Sequence, residues 1–215
     1  MAQLARDPDY IKRRETQEQT RQAGIASNMR DARALIEDLG EQGFQVKTIA
    51  DLFNNKMSYE AAIPLLLRWL PRISNPDVKE DIVRALSVSW ARPSAVEPLL
   101  FEFDRAEEPG LRWATANALA VVADDSAFPR IASWVKDPTK GSAREMLAVA
   151  LGNMQDPRAL DLLLELAKDD DVAGHAAIGL GNFGDPRGRA ALQGLLHHHK
   201  KWVREEARTA LNKLP

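Results

Sequence analysis

The chain of 215 residues contains no cysteine. That excludes disulfides, thiolate metal ligands and a cysteine nucleophile, and it suits a reducing compartment. Aromatic residues are scarce at 6%, although five of them are Trp. An excess of either charge is also missing: Lys plus Arg number 29 against 31 Asp plus Glu. Such a balance argues against general affinity for nucleic acid, which needs net or clustered positive charge. No apolar run approaches the ~18 residues of a membrane span. The opening MAQLARDPDYIKRRETQEQT bears charges where a signal peptide would carry its apolar core, so a soluble, cytoplasmic protein with no membrane contact is expected.

What the chain does have is a repeat. Five segments align on Leu86, Leu119, Leu151, Leu180 and Leu211, at successive intervals of 33, 32, 29 and 31 residues. Eight positions before each leucine stands a small or apolar residue: Val78, Leu111, Ala143, Val172 or Val203. The next position is Lys79, Arg112, Arg144, Ala173 or Arg204, and each anchor leucine follows Ala or Gly. Asn75-Pro76, Asp156-Pro157 and Asp185-Pro186 supply an N-cap followed by a first-turn proline. Gly152, Gly181 and Gly184 are expected to close the second helices as left-handed caps. Each unit therefore reads as two helices, and one hairpin cannot bury its apolar face without neighbours.

The predicted organisation is all-α. Residues 1–24 form a polar helical or disordered arm, since a helix polar all round is marginal unless it docks. Residues 25–57 form a helical cap in which Ser27 starts a helix with Ala32, Leu35, Ile36 and Leu39 as its core face. A short helix is expected over 46–53. Residues 58–215 hold about five hairpins, with Ser58 capping the first helix and Pro64 kinking or dividing it. The stretch 46–63 has the outline of a helix–turn–helix. Its second helix would offer the groove Glu60 and no cation before Arg68, which favours an ordinary hairpin.

The segments AREMLAVALGNMQDPRAL and VAGHAAIGLGNFGDPRG resemble HEAT repeats, closest to the short HEAT-like variety of ~30 residues also called bilin-lyase-type. The resemblance covers roughly 58–215 and implies a right-handed α-solenoid, first helices convex and second helices concave. It also implies that the basic position joins a structural ladder. Function does not follow from the fold, which hosts many unrelated roles.

Subtracting the architectural positions leaves a stripe on the second helices, at six, five and two residues before the anchor and two after it. Its ends are charged: Glu80, Asp81 and Arg84 in the first hairpin, Glu205, Glu206 and Lys213 in the last. Its middle is apolar and amide-rich. Trp113, Asn117, Val121, Glu145, Met146, Val149, Asn153, His175, Ile178 and Asn182 are the candidate partner-binding residues. Apolar anchors ringed by polar groups suit a protein or peptide partner. Gly174 removes bulk beside His175, so a small-molecule or lyase-type pocket near Trp113, Asn153 and His175 is the alternative.

No catalytic constellation is apparent, and neither a metal nor another cofactor is expected. HEAT-like di-iron hydroxylases carry His-Glu pairs where this chain has Glu80-Asp81, Trp113-Ala114, Glu145-Met146, Gly174-His175 and Glu205-Glu206. HEAT-like alkylpurine DNA glycosylases need a basic groove, and the acidic ends of this one oppose a phosphate backbone. His197, His198 and His199 fall in a turn with Lys200 and Lys201, and adjacent histidines do not readily converge on one ion.

Overall fold

The computed structural model describes residues 8–55 and 57–215. Twelve α-helices and no strand are found among them. A long helix, α1 (Pro8–Glu41), and a single turn, α2 (Asp51–Asn54), precede five hairpins. The hairpins pair α3 (Ile63–Trp69) with α4 (Pro76–Leu86), α5 (Val96–Arg105) with α6 (Pro109–Val122), and α7 (Phe128–Val135) with α8 (Ala143–Gly152). The last two join α9 (Pro157–Leu166) to α10 (Ala173–Phe183) and α11 (Arg189–Leu195) to α12 (Lys201–Lys213).

Local chemistry starts and stops these helices largely as the sequence implies. Asn75 accepts from the amides of Asp77 and Val78, and Asp156 from that of Arg158, each before a first-turn proline. Asp185 does the same for the 3-10 turn that leads into α11. Pro64 divides its segment, a 3-10 turn at Glu60–Ala62 giving way to α3 at Ile63. No side chain caps that start, so Ser58 does not play the part expected of it. Only α2 forms in the 46–53 stretch, because the Asp51 carboxylate takes the amides of Lys47 and Thr48 and holds the preceding residues in a turn.

Two further expectations are corrected. Ser27 starts nothing: α1 runs unbroken across the expected 24/25 boundary, favoured by i to i+3 and i to i+4 pairs and by the absence of proline after Pro8, with Gly24 accommodated inside it. Of the arm placed at 1–24, residues 1–7 lie outside the described residues, and 9–23 are exposed apart from half-buried Tyr10. Second, only Gly184, at φ +75°, is a left-handed cap. Gly152 and Gly181 are helical and serve contact instead. A Cβ on Gly152 would lie 2.4 Å from Gly179 Cα, and one on Gly181 would lie 2.8 Å from Ala210 Cα.

Those contacts shape the array. Second helices stack on one another from α4 to α12 in one continuous row, whereas first helices touch each other sparingly. Ala and Gly on the facing surfaces let the second-helix row close up, so the array bends with that row innermost. Leu86, Leu119, Leu151 and Leu180 are fully buried, while Leu211, in α12, is half-buried.

The basic position of each repeat bonds within the architecture. Arg112 donates to the carbonyl oxygen of Ala106, Arg144 to that of Val135, and Arg204 to those of His198 and His199. These oxygens lie at or just beyond the ends of first helices, where the last carbonyls lack intrahelical partners, so each guanidinium closes its own hairpin. Lys79 and Arg144 also reach forward to the next repeat, to Glu102 at 2.6 Å and to Asp169.

Candidate interaction face

The stripe expected to bind is present along the second-helix row, but its residues split into three groups. Val121, Met146 and Val149 are half-buried and packed against the core. Trp113, Asn117 and Ile178 are also half-buried, and none of the apolar members ranks among the exposed large hydrophobics. The close approach of second helices leaves these chains only partly accessible to solvent. Asn153 and Asn182 are exposed, yet each is tied down. Asn153 donates to the Ala120 carbonyl at 2.8 Å, Asn182 donates to Asn153 Oδ1 at 3.2 Å, and Lys213 donates to Asn182 Oδ1 at 3.0 Å. This polar ladder links four repeats along the row's edge. With Arg92, Val121 and Phe183 it lines an open depression of about 640 Å³, of which Trp113 and His175 are no part.

His175 and Glu145 come together at 3.9 Å. The space that Gly174 opens is taken by the Trp202 indole, whose Cη2 would lie 2.0 Å from an added Cβ. Trp202 meets the His175 ring edge-on at 5.3 Å. The space expected beside Gly174 is therefore filled. His175 Nδ1 is buried without a hydrogen bond. Burial holds the His175 pKa below the ordinary imidazole range, against the upward pull of Glu145 and Glu206. With a folded pKa below the unfolded one, the folded state binds fewer protons, so stability is kept above that range and lost as pH falls through it. Denaturation midpoints from pH 7.5 down to about 5 should thus fall more steeply for wild type than for His175→Gln.

The histidine turn differs from expectation. His198 and His199 do converge, with Asp170 of the preceding repeat, their ligand atoms within 4.8 Å of one another. Hydrogen bonding nevertheless commits the key nitrogen. His198 Nδ1 accepts from the Lys200 amide, which leaves the ring proton on Nε2, facing Asp170 Oδ1 at 3.0 Å. Lys200 Nζ adds a positive charge on the Asp170 carbonyl at 2.7 Å. The cluster is a tie between repeats rather than an open donor set.

A cleft that the sequence reading missed lies at the N-terminal end of the row. It measures about 460 Å³ and is floored by Ile25, Met29, Ile36, Ile49 and Val78, with Asp81 at its edge. Met29 is 61% and Ile25 46% exposed. The signal was available: Ile25, Met29 and Ile36 recur at i, i+4 and i+11 and mark a second apolar face on α1, beside the buried Leu35–Leu39 face. Its other wall comes from α4 and the 47–49 loop, distant in sequence. Among the described residues Asp81 has no hydrogen-bond or ion-pair partner, and burial, reinforced by Glu80 and Asp77 against the pull of Arg84, pushes its carboxyl above the usual range.

Paired helices stacked with an Ala/Gly-rich inner row are the geometry of a helical-repeat solenoid, and residues 96–174, from the start of α5 to the second residue of α10, match the family model for HEAT repeats. That stretch carries HEAT repeats. The same helix packing continues beyond the match, α10 packing on α12 as α8 packs on α10. No curated protein matches the chain. Among the described residues no helix is long and apolar enough to cross a membrane.

Proposed function

We propose that the protein is a non-catalytic interaction module that binds a protein or peptide partner along its second-helix row. HEAT repeats commonly act as protein-interaction scaffolds, and stacked hairpins present extended concave surfaces for this purpose. The observation that carries the reading is the half-exposed middle of the row. Trp113 and Ile178 offer partly exposed apolar surface there, between Glu80–Asp81 at one end and Glu205–Glu206 at the other. Aromatic anchors of this kind concentrate binding energy. The domain scheme that goes with this reading gives 58–215 the binding role and 25–57 that of a cap.

The test is affinity capture with wild type and a Trp113→Ala, Ile178→Asp variant, both checked for helical content and cooperative melting. Partners retained by wild type should be lost by the variant. Identical partner profiles from two folded proteins would overturn the assignment.

A further inference from the structure

The cleft between α1 and α4 and the charge on the second-helix row point to one chemistry. Stripe positions along the row carry five carboxylates: Glu80, Asp81, Glu145, Glu205 and Glu206. Against them stand Arg84, held by Glu80 at 2.6 Å, and Lys213, held by Asn182. The stripe thus carries more carboxylates than cations, although Glu205 at its far end is paired with Lys201 at 3.4 Å. At its N-terminal end it meets the apolar floor, and Asp81 belongs to both. On the rim Arg33 is paired with Glu37 at 3.4 Å, and Lys47 gives its backbone amide to Asp51, its ammonium remaining on the rim. Among the described residues that line the cleft, Asp81 is a half-buried carboxylate with no hydrogen-bond or ion-pair partner. A carboxylate in that condition is costly until a donor or a cation reaches it.

We infer that this cleft is the docking point for a cationic amphipathic helix of a partner protein. Its aliphatic side chains would fill the space between Ile25, Met29, Ile36, Ile49 and Val78, and a lysine or arginine would pair with Asp81. The inference rests on the reading of the second-helix row as the binding face and adds where the partner enters and what charge it carries. An apolar helix face laid in such a groove is read through anchors one turn apart, and a flanking cation meets the acidic row beyond.

The experiment uses the full chain and a synthetic amphipathic helix of leucine and lysine, with a leucine–glutamate counterpart as its control. Backbone amide shifts locate the contact, and fluorescence anisotropy measures affinity. The Leu/Lys helix should bind and perturb α1, α4 and the 47–49 loop, and the Leu/Glu helix should not. Asp81→Asn should weaken binding about tenfold, the scale of losing one partner of a partly desolvated charge pair, and Met29→Lys should abolish it. Both substitutions sit at accessible positions, so fold is retained and checked by circular dichroism. Equal binding of the two peptides, no binding, or indifference to both substitutions would overturn the inference. Shifts confined to α6, α8 and α10 would overturn the cleft while leaving the wider binding face standing. A wild-type dimer that Met29→Lys dissociates would put a second copy in the cleft and equally overturn it.

Discussion

Gly152→Ala should be among the most damaging single-methyl changes this chain can receive. The added Cβ would meet Gly179 at 2.4 Å from both its Cα and its carbonyl oxygen. These are backbone atoms of the neighbouring second helix, so no side chain can rotate away, and α8 and α10 must separate instead. Separation also disturbs the neighbouring contact, where Gly179 lies against the Ala148 carbonyl and Leu163. We expect a loss at or above the upper end of the ~1–3 kcal/mol typical of overpacking. Because stability in a repeat array is largely nearest-neighbour, weakening one central seam should also uncouple the two halves. Thermal unfolding should then broaden or split, with the first transition lowered by ~2–4 °C per kcal/mol. Gly24→Ala is the control. Nothing lies within 4 Å of its new methyl in the exposed part of α1, and it should stabilise by ~0.5–1 kcal/mol. Calorimetry of both variants decides the matter, and equal melting of Gly152→Ala and wild type would refute the close-contact account.

The same glycine shows where sequence reading reaches and where it stops. Its recurrence before Asp-Pro was legible, and so were the hairpin and the buried leucines, because these follow from periodicity and local capping chemistry. Its purpose was not. A glycine at a helix end reads locally as a left-handed cap, and only the partner helix reveals that the missing Cβ makes room for Gly179. Gly174 repeats the lesson: the gap it leaves is filled by Trp202, 28 positions along the chain and in another helix. The candidate face divides in the same way. Helical spacing placed Trp113, Val149 and Ile178 on one stripe, yet their exposure depends on how closely successive second helices approach. Asn153 and Asn182 read as free amides until the ladder through Ala120 and Lys213 is seen. The α1–α4 cleft lay furthest from reach, since its walls come from residues 25–37, 47–49 and 78–81, and no local pattern brings those together.

Arg144→Ala should cost nearly as much by a different route. Arg144 is 5% exposed, the most enclosed arginine among the described residues. Its Nε donates to the Val135 carbonyl at 2.7 Å, and its Nη2 binds Asp169 in the loop after α9. One guanidinium thus closes its own hairpin and fastens it to the next. Truncation leaves the carbonyl without its donor and Asp169 without its cation, and removing one member of a buried pair typically costs ~3–5 kcal/mol. Asp169 keeps partial access to water and the amide of Asp171, so the low end, about 3 kcal/mol, is expected here. Arg144→Lys should recover only part of it, because a single ammonium cannot reproduce the fork that meets both acceptors. The pH dependence separates this from a simple packing defect. Burial raises the Asp169 pKa, but the bonds from Arg144 and the Asp171 amide outweigh it and hold the carboxyl below its ordinary value. A folded pKa below the unfolded one means stability that is present above the usual carboxylate range and lost as pH falls through the folded value. In Arg144→Ala that contribution should largely vanish, so the gap between wild type and variant should be widest near neutrality and narrow on acidification. Chemical denaturation of both proteins between pH 7 and about 3 measures it, and a gap that stays constant across that range would mean that Arg144 acts through packing alone.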